Sequence, residues 1–305
     1  MRVLYLMGAF YLASLLLLWA GRVGKLSRGT ALTVSVACLL AGSGALAAAV
    51  YPWGNGYGKT VSCLQDLPGG VKPDQGNAKT AAPAPDGATE KSAPGSDGAA
   101  SLITASGRYI ALTFDDGPYP PYTNRLLDVL KEKKVHATFF LVAQQAQRYP
   151  KLVQRMAAEG HTVGLHAFRH RDFLKLTEEE KRQDLTEGKQ VLQSLTGQEP
   201  QFWRPPHGFR DFSVMREAEA QRLQVVNWSV IPRDWTGIGK QEIHDRVMDK
   251  AENGAIVLLH DGDSPFYKAS RQATVDAVAL LIDSLRGKGY HLVSLEEYER
   301  LQPLP

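Results

Sequence analysis

The chain has 305 residues, 44% hydrophobic and 22% charged, with 28 Gly, 17 Pro and two Cys. Those proportions suit one large globular domain with appendages or two ordinary ones, and exclude a disulfide-stapled mini-domain, a collagen-like chain and a wholly disordered one. The net charge of +3 is local: residues 1–50 hold Arg2, Arg22, Lys25 and Arg28 and no acid, which leaves 31 basic residues against 32 acidic ones in the remainder. A nucleic-acid binder needs clustered positive charge, so no nucleic-acid partner is expected.

Val3–Ala20 and Gly29–Trp53 are uncharged apolar runs joined by a connector that carries Arg22, Lys25 and Arg28. At about 1.5 Å per residue each reaches across a hydrocarbon core of about 30 Å, the first only just. Neither shows the amphipathic stripe of a core-facing helix. Two N-terminal transmembrane helices are the expectation, with the basic connector on the cytoplasmic side and everything after Trp53 outside. A competing reading makes the second run a signal-peptide apolar region with Ala45-Leu46-Ala47 as its cleavage site. Both export the remainder, so the expected location is the cell membrane with an extracytoplasmic domain. Residues 1–53 thus form a membrane hairpin or signal-anchor region.

Residues 54–107 are rich in Gly, Ala, Pro and Ser and read as a flexible linker. Cys38 falls in the second apolar run and Cys63 in this linker, which predicts no structural disulfide and no Cys metal site.

From Arg108 to the end, β-rich runs alternate with helical ones. Strands are expected at 109–114, 137–142, 162–166, 202–204, 224–230, 255–259 and 290–295, with amphipathic helices such as 124–133, 178–195 and 274–286 between them. That alternation implies an α/β fold with a mainly parallel sheet. A deformed (β/α) barrel of about seven strands finishes such a sheet without exposed edges, and an open doubly wound sheet is the rival.

All eight His lie in this region, and polar residues gather just after the strands: Asp115 and Asp116, His166 and His170, Arg204, Asp234, and His260. The carboxyl ends of strands carry the active site in α/β barrels. Asp115 and Asp116 are adjacent carboxylates at a strand exit and repel each other unless a cation stands beside them; a solvated Asp-Gly-Pro turn is the plain alternative. His166 and His170, four apart, can offer two imidazoles to one ion from a helical turn. Asp116, His166 and His170 make three ligands, leaving a position open for water, whose pKa a divalent ion lowers to about 7. These ligands alone also suit a metal-dependent phosphoesterase, although little besides Arg204 is available to clamp phosphate. Tyr119, Tyr122, Phe168, Trp203 and Phe209 lie near the motifs and are either core or sugar-stacking residues. His136, His161, His244 and His291 read as surface or packed residues.

Thr-Phe-Asp-Asp-Gly-Pro at 113–118, His-x-x-x-His at 166–170, Arg-Pro-Pro-x-Gly at 204–208, Arg-Asp-Trp at 233–235 and Leu-Leu-His-Asp at 258–261 resemble, in order, the five motifs of the polysaccharide deacetylase family, carbohydrate esterase family 4 or NodB-homology domain. The resemblance covers residues 108–305. It implies a metal-dependent hydrolase that removes N-acetyl or O-acetyl groups from a polysaccharide. Asp116, His166 and His170 would hold a divalent metal, usually zinc in this family, with cobalt or another transition metal accepted by relatives. Asp115 would be the base, oriented by Arg204. The oxyanion would meet the backbone N–H of His207. His260 would be the acid, its imidazolium favoured by Asp234, and Trp235 and Leu258 would wall the acetyl pocket. Ala167, His207 and Ile231 depart from the usual Ser or Thr, Tyr or Phe, and Asp. The expected substrate is peptidoglycan GlcNAc, with chitin-type oligosaccharides or acetylated xylan behind it, and the expected state is a monomer. An inactive membrane-tethered glycan-binding protein of the same fold is the alternative from another class.

Overall fold

The computed structural model describes Leu15, residues 60–67 and residues 107–301. The two apolar runs, and with them the membrane and export expectations, lie outside the described residues apart from Leu15. Among the described residues no helix is long and apolar enough to cross a membrane.

The centre of the fold is β1 (Arg108–Asp115), paired in parallel with β2 (Thr138–Val142) on one side and β6 (Ala255–His260) on the other. β3 (Thr162–Ala167), β4 (Phe202–Trp203) and β5 (Gln224–Val225) extend the sheet beyond β2, and β7 (Tyr290–Leu292) pairs with the start of β1. Strict alternation splits the strands between two cores. Ile110, Leu112, Phe114, Phe139, Leu141, Leu165, Val257 and Leu259 face the helices, whereas Tyr109, Ala111, Phe140, Phe202, Ile256 and Leu258 face the interior. Both faces are covered, which is why these strands read as nearly continuous apolar runs.

The strand expected over 224–230 is broken into two pieces. Val226 still donates to the carbonyl of Trp203, and Val230 pairs with β6 by donating to Ile256 and accepting from Leu258 at 3.1 and 2.9 Å. Between them the Asn227 carbonyl turns instead to the Arg204 guanidinium. The two pieces tie β4 to β6 and close the sheet into the expected deformed barrel.

Residues 60–67 correct the linker reading. Val61 donates to the carbonyl of Val225 and accepts from Asn227 at 2.9 and 2.7 Å, and Leu64 donates to Gly254 at 2.7 Å. Val61 therefore bridges Val226 while Cys63 bridges Ala255 at the foot of β6. The segment lies in the seam between the two ends of the sheet. A 3-10 turn at Leu64–Asp66 follows, braced by the Asp66 carboxylate accepting from the N–H groups of Ser62 and Cys63. Val61, Leu64 and Leu67 are fully buried in the interior core. Each such side chain contributes roughly 1.5–3 kcal/mol on burial, which opposes the entropy of ordering the segment. Three apolar residues at three-residue spacing were inconspicuous against a Gly- and Pro-rich background. The domain therefore includes this clip, and the rest of the linker up to residue 106 lies outside the described residues.

The outer layer holds α1 (Tyr122–Lys133), α2 (Ala143–Arg148), α3 (Pro150–Ala158), α4 (Glu178–Thr196), α5 (Phe212–Ala220), α6 (Lys240–Met248) and α7 (Gln272–Gly287), with α7 packed between α1 and α6. α4 starts where the Thr177 hydroxyl accepts from the Glu180 N–H while the Glu180 carboxylate accepts from the Thr177 N–H, a reciprocal cap. The last expected strand, 290–295, stops at Leu292 because Ser294 caps α8 (Leu295–Arg300) in the same way with Glu297.

Candidate metal centre and active site

Alternation delivers the chemistry to one end of the barrel. Asp115 ends β1 and His260 ends β6, directly opposite each other in the parallel ladder. His166 sits on β3 beside a register shift, where Leu141 pairs with Leu165 but Val142 pairs with Ala167. Ala167 takes φ 120° there and is fully buried, and such irregularities re-aim side chains beside active sites. His170 follows on an irregular loop, so the His pair is presented by a strand and a loop and not by the helical turn expected from its spacing. The chain leaves the strand after Ala167 and bends back, bringing the two imidazole rings within 5.0 Å.

Asp116, His166 and His170 converge. One oxygen of Asp116, Oδ1, lies 3.5 Å from His166 Nε2 and 3.3 Å from His170 Nε2, and the three ligand atoms fall within 4.8 Å of one another. That oxygen is buried and accepts no hydrogen bond, while Oδ2 accepts from the Ser264 N–H at 3.2 Å. His166 Nδ1 lies 2.8 Å from the Arg204 carbonyl, a contact in which it donates and which turns the Nε2 lone pair toward Asp116. Burial and the neighbouring His170 hold His166 well below its ordinary pKa, and burial lowers His170 to about 4, so both imidazoles are neutral, as ligands must be. Burial in turn raises Asp116. An unsatisfied buried carboxylate oxygen facing two neutral imidazole nitrogens fits a divalent cation.

The other acid of the pair is held by protein. Arg204 is fully buried; Nη1 donates to Asp115 Oδ1 at 2.7 Å and to Thr113 Oγ1 at 2.8 Å. Its remaining nitrogens donate to the carbonyls of Val226 and Asn227, and Phe140 stacks 4.1 Å beneath the guanidinium. Burial raises the Asp115 carboxyl despite the lowering effects of Arg204 and His260. Asp115 Oδ2 is left facing the metal cluster, 3.9 Å from His166 Nε2.

On the opposite wall, Asp234 Oδ1 lies 2.9 Å from His260 Nδ1, and Oδ2 accepts from the His260 N–H and the Thr274 hydroxyl, both at 2.8 Å. Burial alone lowers an imidazole's pKa, but here Asp234, with Asp116 and Asp115 further off, pushes His260 up to about 9. Nδ1 is committed to Asp234, so Nε2 is the proton donor that remains.

His207 takes a left-handed conformation, φ 62°, in the turn Pro206–Gly208. The turn's own hydrogen bonds run from the N–H groups of Gly208 and Phe209 to Pro205 and Pro206, without using that of His207. Its ring packs edge-on against His170 at 4.9 Å. Trp235 is exposed at the rim with its indole 5.0 Å from the His260 ring, whereas Leu258 is buried on the same face of β6 as His260. Ile231 packs against the interior core. Trp203 is fully buried and serves the core; Tyr119, Tyr122, Phe168 and Phe209 keep partial exposure.

Sequence reasoning passed over Thr113, Asn227, Thr274 and Ser264, whose contacts brace the acids. It also gave no role to Asp261, whose carboxyl is raised by burial to about 7 and accepts from the Thr123 hydroxyl at 2.5 Å. Gly117 sits against that carboxylate, and a Cβ there would come within 2.1 Å of it, which accounts for the glycine after the acid pair. Of these, only Thr113, Gly117 and Asp261 lay inside a recognisable motif. A recess of about 730 Å³ opens beside His161 and Ser294 at the amino ends of the strands, away from all these groups.

Comparison with known proteins agrees with this geometry. Residues 103–226 match the sequence model of the polysaccharide deacetylase family. The chain is 37% identical over 195 residues to a peptidoglycan-N-acetylglucosamine deacetylase of Bacillus cereus, an alignment covering 63% of this chain and 89% of that protein. It is also 37% identical over 196 residues to a chitooligosaccharide deacetylase of Rhizobium leguminosarum bv. trifolii, covering 62% of this chain and 91% of the relative. Among solved structures it resembles the peptidoglycan deacetylase PdaC from Bacillus subtilis, with a TM-score of 0.58 and 35% identity, covering 64% of this chain and 92% of that one.

Proposed function

The chain belongs to the polysaccharide deacetylase family, a family of metal-dependent hydrolases, and from that premise we propose that it removes N-acetyl groups from the GlcNAc residues of bacterial peptidoglycan. The observation that carries this reading is one cluster containing a convergent Asp-His-His trio, an arginine-held carboxylate and a carboxylate-held imidazole.

Asp116, His166 and His170 would hold the cation, with zinc the metal best matched to an oxygen and two imidazole nitrogens. When bound, a divalent ion there polarises the acetamide carbonyl and acidifies water. Arg204 ties up Asp115 Oδ1, so Oδ2 is presented to take a proton from the attacking water. The His207 N–H is available to the oxygen that gains charge as the carbonyl becomes tetrahedral. His260 Nε2 delivers its proton to the departing nitrogen as the C–N bond breaks, leaving acetate and the free amine. Trp235 and Leu258 bound the space for the acetyl methyl. O-acetyl hydrolysis needs the same groups.

The apolar runs of residues 1–53 support export and tethering at the cell membrane, acting on an extracytoplasmic glycan. The clip at Val61 follows those runs closely, with Val61 bridging Val226 just past β5 and Cys63 bridging Ala255 at the foot of β6. Similarity to a chitooligosaccharide deacetylase supports short chitin oligomers as a second substrate class.

The test is acetate release by the full chain loaded with zinc or cobalt, offered peptidoglycan, GlcNAc oligomers and acetylated xylan. Release from the first two supports the reading, and release from none of them refutes it.

The His260–Asp234 pair sets the alkaline limit. An imidazole whose pKa is raised keeps its proton up to that pKa and loses it above, so turnover falls as pH rises through a value no higher than about 9; the charge of a bound cation works to lower it. Asp234→Asn removes the charge that opposes burial, and the alkaline limb of the pH profile should move to lower pH. An unchanged limb would show that His260 is not the acid.

A further inference from the structure

The clip at residues 60–67 reaches the supports of two groups that face the substrate. Thr60 and Arg210 are both fully buried. Arg210 Nε donates to Thr60 Oγ1 at 3.2 Å, and Nη1 donates to the Gly208 carbonyl at 3.0 Å and to the Asn227 side-chain oxygen at 2.9 Å. The Thr60 hydroxyl turns its own proton to Met215 Sδ of α5, 4.0 Å away, which leaves its lone pairs to the guanidinium. Gly208 closes the turn that presents the His207 N–H. Its φ is 69°, and a Cβ there would come within 2.8 Å of the Trp228 ring. The turn is therefore packed against Trp228 and gripped by Arg210 through its last carbonyl. Val61 reaches the other support: its N–H donates to Val225 at 2.9 Å and its carbonyl accepts from Asn227 at 2.7 Å. In the stretch so fixed, the carbonyls of Val226 and Asn227 accept from Arg204, the residue that orients Asp115.

Two consecutive residues of the clip thus brace the oxyanion turn and the seat of the base. We propose that Thr60 and Arg210 are positioning residues for deacetylation and that residues 60–67 belong to the catalytic unit. The segment sets the direction of the His207 N–H through Arg210 and steadies the Arg204–Asp115 pair through Val61. This rests on the reading of the protein as a deacetylase with His207 as oxyanion donor. It goes beyond that reading because Thr60, Val61 and Arg210 lie outside the five motifs, and a unit beginning at Arg108 lacks the clip. A slack turn costs rate, since a misplacement of about 1 Å is worth about 10²-fold. Any residue at position 60 keeps the backbone pairing of Val61, so the Thr60 hydroxyl isolates the arm that runs through Arg210.

The experiment uses the metal-loaded full chain and Thr60→Val, which keeps the branched shape and removes the acceptor of Arg210 Nε. On a GlcNAc oligomer kcat should fall about tenfold, short of the roughly 10²- to 10³-fold cost of losing an oxyanion donor outright. KM should not change, because the N–H meets charge only in the transition state. Affinity for a methylphosphonamidate of a glucosamine oligomer, a tetrahedral mimic of the reacting acetamide, should weaken by the same factor, while affinity for the deacetylated product stays as it was. With the protein folded at the assay temperature, a small unfolded fraction does not move that affinity, so a merely structural role leaves it alone. Leu285→Ala, in the helix-facing core where the clip does not pack, should lower stability and leave analogue affinity unaltered. Thr60→Ser restores the hydroxyl and should return kcat and analogue affinity to within about twofold of the parent. If Thr60→Val does not fold, Arg210→Lys, which keeps the charge and gives up the fork, takes its place with the same expectations. A variant that turns over substrate and binds the analogue like the parent, or a Thr60→Ser protein that restores neither, overturns the positioning role. Hydrogen exchange reads the coupling without turnover: faster exchange at residues 204–210 in Thr60→Val supports the proposal, and unchanged exchange there contradicts it. Absence of acetate release by the unaltered protein defeats the hydrolase reading alone, and the exchange measurement then decides whether the clip holds the turn.

Discussion

Asp115→Asn should lower acetate release by about 10²- to 10⁴-fold, the usual contribution of a positioned general base, while metal content is unchanged. The side chain belongs to the arginine and not to the metal trio: Oδ1 is held by Arg204 at 2.7 Å, and the orphaned oxygen facing both imidazoles is on Asp116. The amide keeps an acceptor for Arg204, whose other donors remain satisfied by Thr113, Val226 and Asn227. Fold and ligand set therefore survive, and what is lost is the ability to take a proton. Metal analysis and kcat on the same sample check this. Loss of metal together with activity would reassign Asp115 as a ligand, and retained activity would remove it from the mechanism. An inactive glycan-binding protein would have no turnover to lose.

Arg204→Met should be the most damaging single change to stability, about 3–5 kcal/mol, the cost of leaving one partner of a buried ion pair uncompensated. The guanidinium is the hub of the barrel interior: it neutralises Asp115, takes two carbonyls where the strand expected over 224–230 breaks, and stacks on Phe140. Methionine fills much of the volume and supplies none of the donors, so the Asp115 carboxylate and two carbonyls lose their partner in a dry site. Urea unfolding measured at neutral pH reads the loss. The cost should shrink as pH falls and Asp115 takes up a proton, since a protonated acid needs no counter-charge. A variant as stable as the parent would contradict this structural role of the guanidinium.

Much of this was legible in the chain because the catalytic groups stand at strand ends in short runs of fixed order. Alternation along Tyr109 to Asp115 and Ile256 to His260 assigns each residue to a face, and the residue after a buried run is the one exposed at the barrel's mouth. Contacts between distant segments left no such trace. Thr113 and Asn227 look like ordinary strand residues until Arg204 lies between them. The clip was invisible for a similar reason: Val61, Leu64 and Leu67 become core only because the sheet's two ends leave a seam for them. The His pair was misread because spacing alone does not separate a helical turn from a strand that bends at a left-handed Ala167.

The central claim is that Asp116, His166 and His170 hold a divalent ion on which deacetylation depends. Acetate release from a GlcNAc oligomer by the full chain, before chelation, after chelation and after zinc or cobalt is restored, tests it most directly. Release that is abolished by the chelator and recovered with the metal is the predicted result. Release that persists in the chelated protein would contradict it.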